Sequence, residues 1–140
     1  MLDLIIAAAL AQVQAAPRTD PCMAVAPIAA SRSCAIWETT GRTEELESSV
    51  NAASILRSGD RFEIWDRVVF AQDREEGARI VVMQHRHDCR RRSYQTLHLA
   101  IYDARGTLLY EEVPTGAGAA PEPVVAGSPA ATVHTRFCPR

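Results

Sequence analysis

The chain contains no lysine. All fifteen of its basic residues are arginine, which we read as the coding bias of a GC-rich genome and not as a functional mark. It has no charge surplus either. The formal net charge is −2, whereas a general nucleic-acid binder needs a strong basic excess. A glycine-rich phosphate loop is missing. Ser48, Ser49, Ser54 and Ser93 stand in no nucleophile-elbow context, and spacing suggests no His–Asp pairing. A glycosidase needs two placed carboxylates, but the acidic residues here cluster in turns and on polar faces. The expectation is therefore a protein that is not an enzyme and carries no cofactor. No segment has the roughly 20 consecutive apolar residues of a membrane-spanning helix.

The apolar run that does exist lies at the start. Leu4 to Ala11 is uninterrupted and short, which suits the h-region of a signal peptide. Val13-Gln14-Ala15 supplies small residues at the cleavage positions, so the cut is expected after Ala15. The n-region lacks arginine and carries Asp3, and a buried N-terminal helix is the alternative. Export would leave one domain's worth of chain, with residues 16–33 as an irregular leader and 34–140 as the folded unit. The location would be the periplasm or the outer cell surface.

The four cysteines are Cys22, Cys34, Cys89 and Cys138. An even number in a short exported chain reads as a disulfide framework with three possible connectivities. Chain order favours Cys22–Cys34 and Cys89–Cys138. A lipid anchor on Cys22 does not fit the Asp20-Pro21 before it.

Strand patterns dominate the rest. Ala35 to Thr40 has strand composition and should stop at Gly41. Glu44 to Val50 is a weak second strand, with Asn51 to Ser54 as a turn. Arg57 to Asp60 is a hairpin signal. From Arg61 to Ala71, Phe62, Ile64, Val68 and Phe70 share one face, with Asp66 breaking the row. Arg61, Glu63, Trp65 and Arg67 take the other face. That period of two is what a half-buried antiparallel strand needs. Ala78 to Cys89 follows, then a strand in which Leu97, Leu99 and Ile101 alternate with Thr96, His98 and Ala100. Asp103 to Gly106 turns the chain into Thr107 to Val113. After a loop over 114–127, Ser128-Pro129 reads as an N-cap with proline at the first helical position. Val133 and Phe137 of the following helix should face the sheet. The expected architecture is α+β: an antiparallel meander of about five or six strands with one short C-terminal helix packed on a face.

The order of these segments resembles the surface-adhesin protein E family of bacterial envelope proteins. The resemblance rests on Trp37, Val50-Asn51-Ala52-Ala53-Ser54-Ile55, Gly59-Asp60 and Trp65-Asp66-Arg67-Val68-Val69-Phe70. It continues through His87-Asp88-Cys89, Leu99-Ala100-Ile101-Tyr102-Asp103, Gly106, Gly127-Ser128 and Phe137-Cys138, over about residues 36 to 138. It implies an antiparallel sheet with a helix against it and a Cys89–Cys138 disulfide. It also implies a homodimer and binding of host matrix or serum proteins. The chain departs from the family in its Cys22 and Cys34, in lacking an aromatic residue within Pro121 to Val125, and in Pro129.

Two constellations could carry binding. Arg86, Arg90, Arg91 and Arg92 group near Cys89, and grouped guanidinium ions grip carboxylates, phosphates or sulfates in a bidentate way. They point to a protein or acidic-polymer partner. The alternative is a solvated turn balanced by Glu75, Glu76, Glu111 and Glu112. His85, His87 and Cys89 share a strand face at a spacing that suits zinc or copper, and the alternative functions are a periplasmic metal-binding protein using His85, His87 and His98 or a structural envelope protein with no ligand. If Cys89 is oxidised it is no ligand, and the histidines are half-exposed strand residues. Trp37 and Trp65 read as core or sheet-face residues.

Overall fold

The computed structural model describes residues 37–140. The predicted signal peptide, the leader and the Cys22–Cys34 pair lie outside the described residues. Among the described residues, seven strands form one antiparallel sheet, curled into a half-barrel, with one short α-helix. In chain order they are β1 (Glu38–Arg42), β2 (Leu46–Ser58), β3 (Arg61–Phe70), β4 (Ile80–Asp88), β5 (Ser93–Tyr102), β6 (Leu108–Glu112) and β7 (Glu122–Pro123). β1 to β6 follow one another as a meander. β7 pairs with the Ser93–Tyr94 end of β5, along the edge whose other end β6 takes. The two-residue β7 is the strand that the sequence pattern missed. Among the described residues no helix is long and apolar enough to cross a membrane.

Two strand ends differ from expectation, each for a local reason. Gly41 does not stop β1. It sits inside the strand at a register irregularity, where a Cβ would meet the Ser48 hydroxyl at 3.2 Å. Asn51 to Ser54 is not a turn but a large bulge in a continuous β2. Asn51 pairs with Trp65 and Leu56 with Glu63, so residues 52–55 face the single residue Ile64. The Ser54 hydroxyl donates to the Asn51 carbonyl at 2.7 Å and accepts the Trp65 amide at 3.0 Å. It thereby supplies the ladder acceptor that the bulge removes.

The half-buried strand pattern is correct for β3, but each sheet face holds a core, at opposite ends. Val50, Phe62 and Ile64 pack against Val133 on the face that carries helix α1 (Pro129–Phe137). Trp65, Ile80, Val82, Ala100 and Tyr102 pack on the far face, with Trp37 and Val69 against them. Each fully buried side chain of this size contributes about 1.5–3 kcal/mol. Curling lets a polar face at one end become an apolar face at the other, so Trp65 is buried in a row that begins with arginine and glutamate.

Helix α1 begins as its sequence predicts. Ser128 caps it, accepting from the Ala131 amide at 3.2 Å, and Pro129 opens the first turn. Nine residues are too few for an isolated helix. Val133 and Phe137 dock it, Arg136 pairs with Glu38 of β1, and Cys138 is bonded to Cys89. The predicted Cys89–Cys138 disulfide is thus present, with Cα atoms 5.5 Å apart.

Candidate functional site

The arginine cluster divides. Arg90, Arg91 and Arg92 form the exposed tip between β4 and β5. Asp88 organises that tip: one of its oxygens accepts the amides of Arg90 (3.1 Å) and Arg91 (3.0 Å). These amide bonds, with the nearby Arg61 guanidinium, hold the Asp88 carboxyl below its usual range. Arg92 takes a positive φ of 52°, and its carbonyl accepts the Val124 amide at 3.0 Å. The Cys89 amide donates to the Asp60 carbonyl at 2.8 Å, and Cys89 carries the disulfide. The tip is therefore anchored to three other segments.

Arg86 belongs to the strand and not to the tip. It forms two hydrogen bonds with Glu63 of β3, at 3.1 and 2.6 Å. Its counter-ion is that residue and not Glu75, Glu76, Glu111 or Glu112. Arg61, Arg86 and Arg91 still meet, lining a pocket of about 90 Å³ on the far face beside Asp88. None of Arg90, Arg91 or Arg92 forms an ion pair among the described residues.

The histidines are placed differently from expectation. His85 and His87 do share one face of β4, but they are buried and not half-exposed, and His87 has no exposure at all. His98 is on the opposite face. A one-residue bulge in β5 causes this: Gln84 pairs with His98 but His85 pairs with Thr96, leaving Leu97 extra. Strict alternation would have put Thr96 and His98 together. Instead His98 meets Glu111 at 2.7 Å and the edge of Trp65, while Thr96 joins His85. Among the described residues, no three or more His, Cys, Asp or Glu side chains are grouped to hold a metal.

What surrounds His85 and His87 is a buried polar cluster. Asp66, the break in the apolar row of β3, accepts from His85 Nδ1 at 2.6 Å. Burial works against the His85 charge, but the Asp66 carboxylate more than offsets this, so its pKa is raised. His87 stacks flat on Phe62, with centroids 4.7 Å apart, and its Nδ1 lies 3.4 Å from Nδ1 of His134 on α1. Burial, then His85 and His134, push the His87 pKa down to about 3. The ring is neutral, and its sealed Nε2 has no hydrogen-bond partner among the described residues. His134 is also lowered, by burial and then by Arg92, with Asp88 opposing.

Asp66, His134 and Tyr94, whose ring meets His85 edge-on with centroids 5.3 Å apart, were not singled out from sequence. The signal for Asp66 was its place in the row of Phe62, Ile64, Val68 and Phe70, so a His–Asp pair exists although spacing did not suggest one. Replacing Asp66 with Asn should lower the His85 pKa, because burial is then opposed only by the smaller pull of Glu122. NMR titration of the imidazole protons would measure it, and an unchanged pKa would contradict the pairing.

The model of the surface-adhesin protein E family matches residues 37–139. No curated protein and no solved structure matches the chain. The family match spans every strand, the arginine tip, both cysteines of the disulfide and the whole of α1. The chain therefore belongs to the surface-adhesin protein E family.

Proposed function

We propose that this is an exported, non-enzymatic binding protein of the bacterial envelope, which engages an acidic macromolecular partner through the Arg90–Arg92 tip. Its family carries a surface-adhesin role and a surface or exported location. The observation that carries the reading is three consecutive exposed arginines without acidic partners among the described residues, on a turn that Asp88 and the disulfide hold in shape. Holding a turn in advance reduces the ordering cost of binding. Arginine is the basic residue that interfaces favour, and it grips carboxylate and sulfate groups bidentately. Arg61 and Arg86 extend the same basic surface. A homodimer would present two tips and multiply the apparent affinity. The His85–Asp66 pair is not read as catalytic, since no serine or threonine hydroxyl hydrogen-bonds to His85 among the described residues.

The partner panel consists of immobilised matrix and serum proteins and sulfated polysaccharides. Arg90→Ala with Arg91→Ala should weaken binding by about thirtyfold, as for loss of two contacts of ~1 kcal/mol each. Binding should also weaken as salt screens the charges. Surface plasmon resonance checks both. Normal binding by the double variant removes the arginines from the reading, and failure of the parent protein across the panel removes the adhesive role.

A further inference from the structure

A second site stands apart from the arginine tip. A groove of about 260 Å³ runs between the first turn of α1 and strands β1 to β5. The His85–Asp66 pair lines it, with side-chain exposures of only 9 and 14 %. Both residues occupy positions where strand alternation calls for apolar side chains. A buried ion pair is a poor stabiliser compared with a hydrophobic pair of the same size. Its presence in a groove therefore marks a candidate ligand site.

The lining defines the ligand. His85 spends Nδ1 on Asp66, while its Nε2 makes no hydrogen bond among the described residues and is not sealed from solvent. The Thr96 hydroxyl, brought to this face by the β5 bulge, is also uncommitted. Val68, Met83 and Val133 supply an apolar wall. Two charges of the groove, His85 and Asp66, neutralise each other, and the third, the Arg67 guanidinium, forms no ion pair among the described residues but lies against the Ser49 hydroxyl and the Trp37 ring. A cation would thus enter without a counter-ion, and an anion would have to draw Arg67 from that ring, which burial penalises. The volume equals that of about nine water molecules at ~30 Å³ each, room for one sugar ring with a small substituent.

We propose that this groove binds an uncharged N-acylated amino sugar. The acylamino carbonyl accepts from His85 Nε2–H, the acyl methyl rests on Val68 and Val133, and a ring hydroxyl meets Thr96. The test is a titration of the ¹⁵N-labelled purified protein with N-acetylglucosamine. Saturable shifts of the residue 85, 96 and 130–133 amides are expected, with glucose and glucosamine binding at least about tenfold more weakly. His85→Gln should weaken binding by about tenfold and Thr96→Val by about fivefold, as for loss of a charged and a neutral hydrogen bond. Thr96→Val is the half-exposed position and keeps the test alive if His85→Gln does not fold. The same sugar occurs in bacterial wall polymer and in animal glycans, so soluble peptidoglycan fragments and N-acetylglucosamine-capped oligosaccharides are compared, and the tighter binder identifies the source. Shifts that fail to saturate, shifts confined to the arginine tip, or unweakened binding by Thr96→Val would overturn the proposal.

Discussion

Lowering the pH from 7 to 4 is expected to destabilise the protein by about 3 kcal/mol through His87 alone, at ~1.4 kcal/mol per unit of pKa difference. The folded pKa is depressed to about 3 from an ordinary 6.5. The unfolded chain therefore binds a proton that the folded chain refuses. Stability from this residue is complete above pH 6.5 and falls steadily as the pH drops toward 3. His134, facing His87 from α1, acts in the same direction. His85, on the same strand and next to Asp66, acts in the opposite one. Its folded pKa is raised, so its contribution is complete below 6.5 and is lost as the pH climbs through the folded value. Asp88 and Arg92 near His134, and Glu122 near His85, complete the charged surroundings. Stability should peak near neutrality with a steep acid limb. Urea unfolding between pH 4 and 8 measures this, and His87→Phe, which keeps the stack on Phe62, should flatten the acid limb. An unchanged acid slope in that variant would assign the lability elsewhere.

Removing the Cys89–Cys138 bond should cost about 4 kcal/mol in the chain-entropy account, given the 49-residue separation that it closes. For a domain of this size that corresponds to roughly 20 °C in thermal midpoint. The bond also joins the turn after β4 to the end of α1, so its loss frees the helix from the sheet and loosens the arginine tip together. Cys89→Ser with Cys138→Ser, followed by calorimetry, gives the value. A midpoint within a few degrees of the parent would show that packing of Val133 and Phe137 holds the helix unaided. Peptide mapping of the oxidised protein tests the pairing itself, and a Cys22–Cys89 link would contradict it.

Regular alternation made much of the sheet legible. β3 could be placed from Phe62, Ile64, Val68 and Phe70, and α1 from Ser128-Pro129 with Val133 and Phe137. The misses in β2 and β5 share one cause. Bulges change which face a residue takes without altering its composition signal. The Ser54 hydroxyl sustains the bulge in β2, where Asn51-Ala52-Ala53-Ser54 looks like a turn. The extra Leu97 in β5 sends His98 away from His85 and brings Thr96 to it. The curl of the sheet gave a core to the row of Arg61, Glu63, Trp65 and Arg67, which alternation alone marks as solvent-facing. Asp66 was visible as an anomaly, but its partner is diagonal across two strands, and helix docking alone supplies His134.

The central claim is that the Arg90–Arg92 tip is the contact surface for an acidic partner. Mapping backbone amide shifts of the ¹⁵N-labelled protein during titration with a sulfated polysaccharide tests it directly. The account predicts shifts concentrated at residues 88–92 and at Arg61 and Arg86, fading as salt is raised. Shifts centred on another surface, or none at any concentration, would contradict it.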